Sequence, residues 1–117
     1  MFNEQNKLKT LRLLMPQWQG GYDESEFPGQ IYPLGARLLA WLAPESDAPL
    51  VEVPVEPWTG AAPVKEGGVF YRQELLRQMQ AARSIIDAHT PDRVITFGGD
   101  CLISQAPFSY LNERYKG

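Results

Sequence analysis

A chain of 117 residues, 44% hydrophobic and 21% charged, has the make-up of one globular domain spanning residues 1–117. A net charge of -3, an isoelectric point near 5.1 and the lack of any Lys/Arg cluster argue against a nucleic-acid binder working through a basic surface. No apolar run approaches the roughly 20 residues of a membrane span. Met1-Phe-Asn-Glu-Gln-Asn-Lys7 lacks the apolar core of a signal peptide, and one cysteine excludes an internal disulfide, so the expectation is a cytoplasmic protein with no membrane partner.

Leu11-Arg-Leu-Leu-Met15 reads as a short strand stopped by Pro16. Gln17 to Pro33 is rich in Gly, Pro and acids and reads as a long connector, held to the body by Trp18, Tyr22, Phe27 and Tyr32. Leu34 to Ala43 predicts a helix, with Leu34, Leu38, Trp41 and Leu42 on one core-facing side and Pro44 ending it. Leu50 to Glu56 alternates, with Val51, Val53 and Val55 on one face. Pro54 cannot donate to a ladder, so this strand belongs at a sheet edge.

Pro57 to Gly68 reads as a second loop. Val69 to His89 predicts the longest helix, with Leu75, Met79, Ala82 and Ile86 as its buried stripe. Arg93 to Phe97 is an almost continuous apolar strand, which predicts cover on both faces and a central place. Ser104 to Lys116 predicts a last helix with Ile103, Ala106, Tyr110 and Leu111 on one side, Ser104 as cap and Pro107 in the first turn. Strands alternating with helices predict an α/β chain with a parallel sheet.

The chemistry-bearing stretch is Gly98-Gly99-Asp100-Cys101. It lies at the carboxyl end of a strand, the usual ligand side of an open parallel sheet. Glycines there allow a sharp turn and a close backbone approach. Asp100 oxygen suits a hard cation such as Mn²⁺, whereas the Cys101 thiolate suits zinc. The plainer alternative is a strand-to-helix turn with a packed cysteine. Cys101 near a helix start also suggests a reactive thiol, but a base is needed, and the lone His89 sits at the other end of the strand. The turn lacks the third glycine or lysine of nucleotide-binding loops.

Asp87-Ala-His-Thr-Pro-Asp92 resembles a metal cluster on paper. A His in the last turn of a helix needs no ligand, since it already favours the dipole there. Trp41 reads as core, Trp18 and Trp58 as loop anchors, and Asp23, Glu24 and Glu26 as solvated acids.

Taken together, Phe97-Gly-Gly-Asp-Cys101, Ser104, Ala106-Pro-Phe-Ser-Tyr-Leu111 and Tyr115 resemble the amino-terminal part of the arginase/agmatinase/formiminoglutamase family, the ureohydrolases. Weaker matches are Leu13-Leu-Met-Pro-Gln-Trp-Gln-Gly-Gly21 and Tyr32-Pro-Leu-Gly-Ala-Arg37. The resemblance implies a three-layer α/β sandwich with a mostly parallel sheet, truncated here to about three strand–helix units, with the second strand outermost. It also implies a bridged Mn²⁺ pair that hydrolyses guanidino-type C–N bonds and releases urea or formamide. Asp100 and Cys101 would be the metal ligands, with Cys101 standing where the family's motif has His.

The family's later Asp-Ala-His-x-Asp segment and Asp-x-Asp pair are absent. The expectation is therefore a chain that resembles a metal-dependent hydrolase but is inactive alone, taking a small guanidino-type substrate only within a full domain. The alternatives are a non-catalytic oligomerisation or binding module, and a small thiol-dependent enzyme using Cys101. With no later strand, the Arg93–Phe97 edge would be open, which predicts a homo-oligomer or a complex with a missing carboxyl-terminal polypeptide.

Overall fold

The computed structural model describes residues 7–23 and 28–116. Its centre is a parallel sheet of three strands, β1 (Thr10–Met15), β2 (Leu50–Glu52) and β5 (Arg93–Gly98), in the order β2-β1-β5. Helix α1 (Pro28–Leu42) joins β1 to β2. A small antiparallel pair, β3 (Lys65–Glu66) and β4 (Val69–Phe70), then leads into α2 (Arg72–His89). After β5 comes a short 3₁₀ turn, Cys101–Ser104, and helix α3 (Gln105–Arg114). The chain is α/β, as its alternating periods predict, and no helix among the described residues is long and apolar enough to cross a membrane.

Alternation along β1 sends Leu11, Leu13 and Met15 to one face, where they pack with Val53, Ala82, Ile86, Ala106 and Tyr110. That face carries α2 and α3. Arg12 and Leu14 point to the other face, which they share with their register partners Ile95 and Phe97 of β5 and with Glu52 of β2. Helix α1 packs on this second face and covers it in part, with Arg37 paired to Glu52 at 3.0 Å. Arg83 binds α2 to α3, with Nε donating to Asp87 Oδ1, Nη1 to Ser109 Oγ and Nη2 to Glu113 Oε2.

Strand β2 lies at the sheet edge, as Pro54 predicts. The Val53 N–H still donates to Leu14 O at 2.8 Å. Pro54 has no N–H to continue, so the ladder ends short of the expected Glu56. The expected central place of Arg93–Phe97 is not observed: the central strand is β1, and β5 forms the other edge, with Ile95 47% exposed. Apolarity along β5 signals faces meant for cover, and this chain covers them in part.

Other boundaries also differ from the sequence reading. The Gln17–Pro33 connector is shorter than expected because α1 begins at Pro28 and contains Pro33. Proline is tolerated in a first helical turn, and the helix continues through Pro33 despite its missing N–H. The helix α2 starts at Arg72, not Val69, because Gly67 and Gly68 take φ of 56° and 79° in the hairpin turn before it. On α2 the buried positions are Leu75, Gln78, Ala82 and Ile86, so Gln78 takes the place expected for Met79.

The largest departure is on α1. Leu34, Leu38, Trp41 and Leu42 do not face the core, and Trp41 is 79% exposed. Among the described side chains of this helix, only Ala36 is fully buried. Its small-residue side lies on the protein body, and Gly29 sits so close to Trp58 that an added Cβ would fall 2.4 Å from the Trp58 Cβ. Periodicity identifies the apolar face of a helix. It cannot say that the chain prefers to bury the smaller one.

Candidate functional site

The chain leaves β1 through Pro16-Gln17-Trp18-Gln19-Gly20 and leaves β5 through Gly98-Gly99-Asp100-Cys101, both at the carboxyl end of the sheet. The two exits touch. Asp100 N donates to Gln17 O at 2.9 Å. Gly99 has φ of 132°, and a Cβ there would lie 2.6 Å from Gln17 O and 2.7 Å from Met15 O. A Cβ on Gly98 would fall 3.0 Å from Met15 O and 2.1 Å from Ile103 Cδ1. The glycines do serve a close backbone approach, and the backbone approached is the chain's own.

Asp100 is buried, and its carboxylate accepts three hydrogen bonds. Oδ1 receives Gln17 Nε2 at 2.9 Å and Leu102 N at 3.0 Å; Oδ2 receives Gly20 N at 2.7 Å. The bond from Leu102 N makes Asp100 the cap of the turn that follows β5. The expected cap, Ser104, makes no such bond; its hydroxyl donates to Cys101 O at 3.0 Å. A short 3₁₀ turn intervenes between strand and helix, so the capping position moved back to the residue where that turn begins.

Behind Asp100 lies a network of glutamine side chains. Gln78 Nε2 donates to Gln17 Oε1 and to Gln19 Oε1, each at 3.0 Å. Gln19 Nε2 returns a bond to Gln78 Oε1 at 3.2 Å and donates to Glu56 O at 3.0 Å, while Glu56 N donates to Gln78 Oε1 at 2.9 Å. Trp18 Nε1 also donates to Glu56 O, at 2.9 Å, and its ring meets Tyr71 edge-on at 4.8 Å. Among the described residues no buried side-chain polar atom lacks a partner. Such a fully satisfied network fixes one arrangement of β1, α2 and the segment after β2. Trp18 is thus the loop anchor that its position suggested.

The sequence reading missed Gln17, Gln19 and Gln78. One signal was available: Gln78 falls on the same helical face as Leu75, Ala82 and Ile86, and a polar residue there must find partners inside.

Cys101 is exposed. His89 belongs to the opposite end of the sheet, since β5 runs between them and its six residues span about 20 Å. His89 Nδ1 pairs with Ile85 O at 2.9 Å, and Asp87 pairs with Arg83. Asp92 accepts from Lys9 N at 2.7 Å and from Arg114, and these two partners hold its carboxyl below the usual carboxylate range, Lys9 the more strongly. These residues tie down the amino end of the sheet. Asp23 is exposed, and Glu24 and Glu26 lie outside the described residues.

Among the described residues, no group of three or more His, Cys, Asp or Glu side chains gathers where it could hold a metal ion. Asp100 with Cys101 is a pair whose carboxylate is already engaged by three donors. No family model matches the chain, and no curated protein matches it.

Proposed function

We propose that this chain forms the first three strand–helix units of a ureohydrolase-like α/β domain and does not hydrolyse guanidino compounds by itself. One observation carries the reading: the Gly98-Gly99-Asp100-Cys101 turn ends a parallel strand at the sheet's ligand side, while its only carboxylate is committed to Gln17, Gly20 and Leu102. The resemblance implies a pair of Mn²⁺ ions that lower the pKa of a bridging water and polarise the substrate carbon. Hard divalent ions of this kind take about six oxygen-rich ligands each. One engaged carboxylate and one thiolate do not fit that demand, and a thiolate fits zinc better. Asp100 serves first as a structural clamp in this reading, and Cys101 stands exposed beside it.

The test is release of urea from arginine and agmatine, and of formamide from formiminoglutamate, by the pure chain with Mn²⁺ or Zn²⁺ added. The expected result is no turnover. Clear turnover that disappears in Cys101→Ala would overturn the proposal.

A second reading, an interaction module, is favoured by the edge position of β5, which pairs with β1 alone among the described residues, and by the exposed apolar side chains of α1. Unpaired strand edges and large apolar patches recruit partners. That partner is a second copy of the chain or a polypeptide that supplies the remaining strands. A cytoplasmic setting agrees with the single free thiol.

A further inference from the structure

A cavity of about 330 Å³ lies between the segments that leave β1 and β2 and the first turn of α2. Small-molecule sites start at about this size. Trp18, Pro63 and Val64 give it apolar walls, and Glu56, Tyr71 and Glu74 give it oxygens. Its lining carries two carboxylates and, among the described residues, no Lys, Arg or His.

The side-chain N–H groups in the lining are already used. Trp18 Nε1 donates to Glu56 O at 2.9 Å, and Gln19 Nε2 donates to the same oxygen at 3.0 Å. The oxygens are in a different state. Tyr71 is only 9% exposed, its ring held edge-on by Trp18 at 4.8 Å and by Tyr22 at 5.3 Å. Its hydroxyl nevertheless makes no hydrogen bond among the described residues. A tyrosine buried this far usually finds a partner for that group. Among the described residues no fully buried side-chain polar atom lacks a partner, so Tyr71 Oη reaches open space. Burial, then Tyr22 and Glu74, push this hydroxyl above its ordinary range. The Glu74 carboxylate is therefore a near neighbour of Oη on the same wall. Glu74 makes no hydrogen bond or ion pair among the described residues, and Glu56 gives Oε1 to Arg77 at 3.0 Å. Tyr71 also keeps φ of 58°, a region that bulky residues seldom enter and that clusters at functional sites.

The groups left over are acceptors, and two of them are charged. A ligand that fits them donates hydrogen bonds and carries positive charge. An ammonium has three donors and no acceptor, and a short aliphatic stem suits walls made by Trp18, Pro63 and Val64. A bare divalent ion fits less well, because no group of three or more metal-binding side chains gathers among the described residues. We infer that this cavity binds the ammonium group of a small aliphatic amine, with Glu74 and Tyr71 Oη as its main partners and Glu56 beside them. The site is independent of the hydrolase resemblance and of the interaction reading.

Titration of the full chain with n-butylammonium chloride, at constant total chloride and followed by ¹H–¹⁵N NMR, tests it. Saturable shifts centred on the amides of Ala62, Val64, Tyr71 and Glu74 are expected, with a Kd on the order of 1 mM for so small a ligand. The uncharged n-butanol should bind at least about tenfold more weakly, and the amine should bind Glu74→Gln at least about tenfold more weakly. Tyr71→Phe removes the hydroxyl and keeps the ring, and should weaken binding about threefold or more. Glu113→Gln, at a carboxylate outside the cavity that pairs with Arg83, should leave the affinity unchanged. No saturable shift, equal binding of n-butanol, or unchanged affinity in Glu74→Gln would overturn the inference. Equal weakening by Glu113→Gln and Glu74→Gln would mean general attraction to an acidic protein, and would overturn it too. If Glu74→Gln fails to fold, Tyr71→Phe decides, and unchanged affinity in that variant overturns the site.

Discussion

Gln17 and Asp100 stand 83 positions apart, and the Gln17 side-chain amide donates to Asp100 Oδ1 at 2.9 Å while the Asp100 N–H donates to Gln17 O at 2.9 Å. This double link joins the end of the central strand to the turn at the end of β5. Lys9 and Asp92 form a matching link at the other end of the same strand pair, where Lys9 N donates to Asp92 Oδ2 and Asp92 N to Lys9 O, each at 2.7 Å. An aspartate on each side of β5 thus fixes its register on β1.

The Asp100 clamp predicts a stability loss from a nearly isosteric change. Asp100→Asn replaces one acceptor oxygen by an NH₂ group, which then faces a donor, either Gly20 N or the pair at Oδ1. The cost should be about 1–3 kcal/mol, read from urea denaturation. Cys101→Ser, at an exposed position next to it, should change stability by about 0.5 kcal/mol or less. Equal effects of the two would contradict the clamp.

Gln78→Leu keeps the bulk of the side chain and removes the centre of the network. It leaves the amide oxygens of Gln17 and Gln19, the Gln19 NH₂ and the Glu56 N–H short of partners. A loss of about 2–4 kcal/mol is expected, since each buried unsatisfied group costs about 1–3 kcal/mol and some relax. Met79→Leu, one residue on, should be nearly neutral at less than about 1.5 kcal/mol.

Gly99→Ala should be worse than Gly98→Ala. At Gly99 the new methyl meets two backbone oxygens at 2.6 and 2.7 Å, and φ is 132°. At Gly98 the closest atom is the movable end of Ile103. A cost of at least about 3 kcal/mol, or failure to fold, is expected for Gly99→Ala. Thermal unfolding of both variants decides the order.

Acid should loosen the amino end of the sheet. The Asp92 carboxyl lies below its ordinary range because Lys9 N–H and then Arg114 favour its charged form. Its contribution is complete above the ordinary carboxylate value and is lost as pH falls through the lowered one, below about pH 4. Glu52, lowered first by its hydrogen bond from Arg37, acts with the same sign. Asp92→Asn should lower stability at neutral pH and flatten the fall in acid. A fall of unchanged steepness in the variant would count against the link.

Much of this fold is legible in the sequence. Alternation in Leu50–Val55, the spacing of Leu75, Ala82 and Ile86, and Pro54 give an α/β chain with β2 at an edge. The misreadings have local causes. Pro28, Gly29 and Pro33 look like loop residues, yet α1 runs through them. Its apolar stripe was expected to be core, but Ala36 and its neighbours pack closer to the body and take that place. Asp100 and Cys101 could be singled out as chemistry-bearing, whereas the work of holding Asp100 falls to Gln17, which lies in a loop where no period marks it. Only the fold brings Gln17, Gln19 and Gln78 together.

The most direct measurement of the central claim is turnover of arginine, agmatine and formiminoglutamate by the pure chain with Mn²⁺ or Zn²⁺ present, wild type beside Cys101→Ala and Asp100→Asn. The account predicts no urea or formamide above the metal-only control from any of the three proteins. Turnover by the wild type that is lost in Cys101→Ala and Asp100→Asn would mean that these two residues support the chemistry without further ligands, and would contradict it.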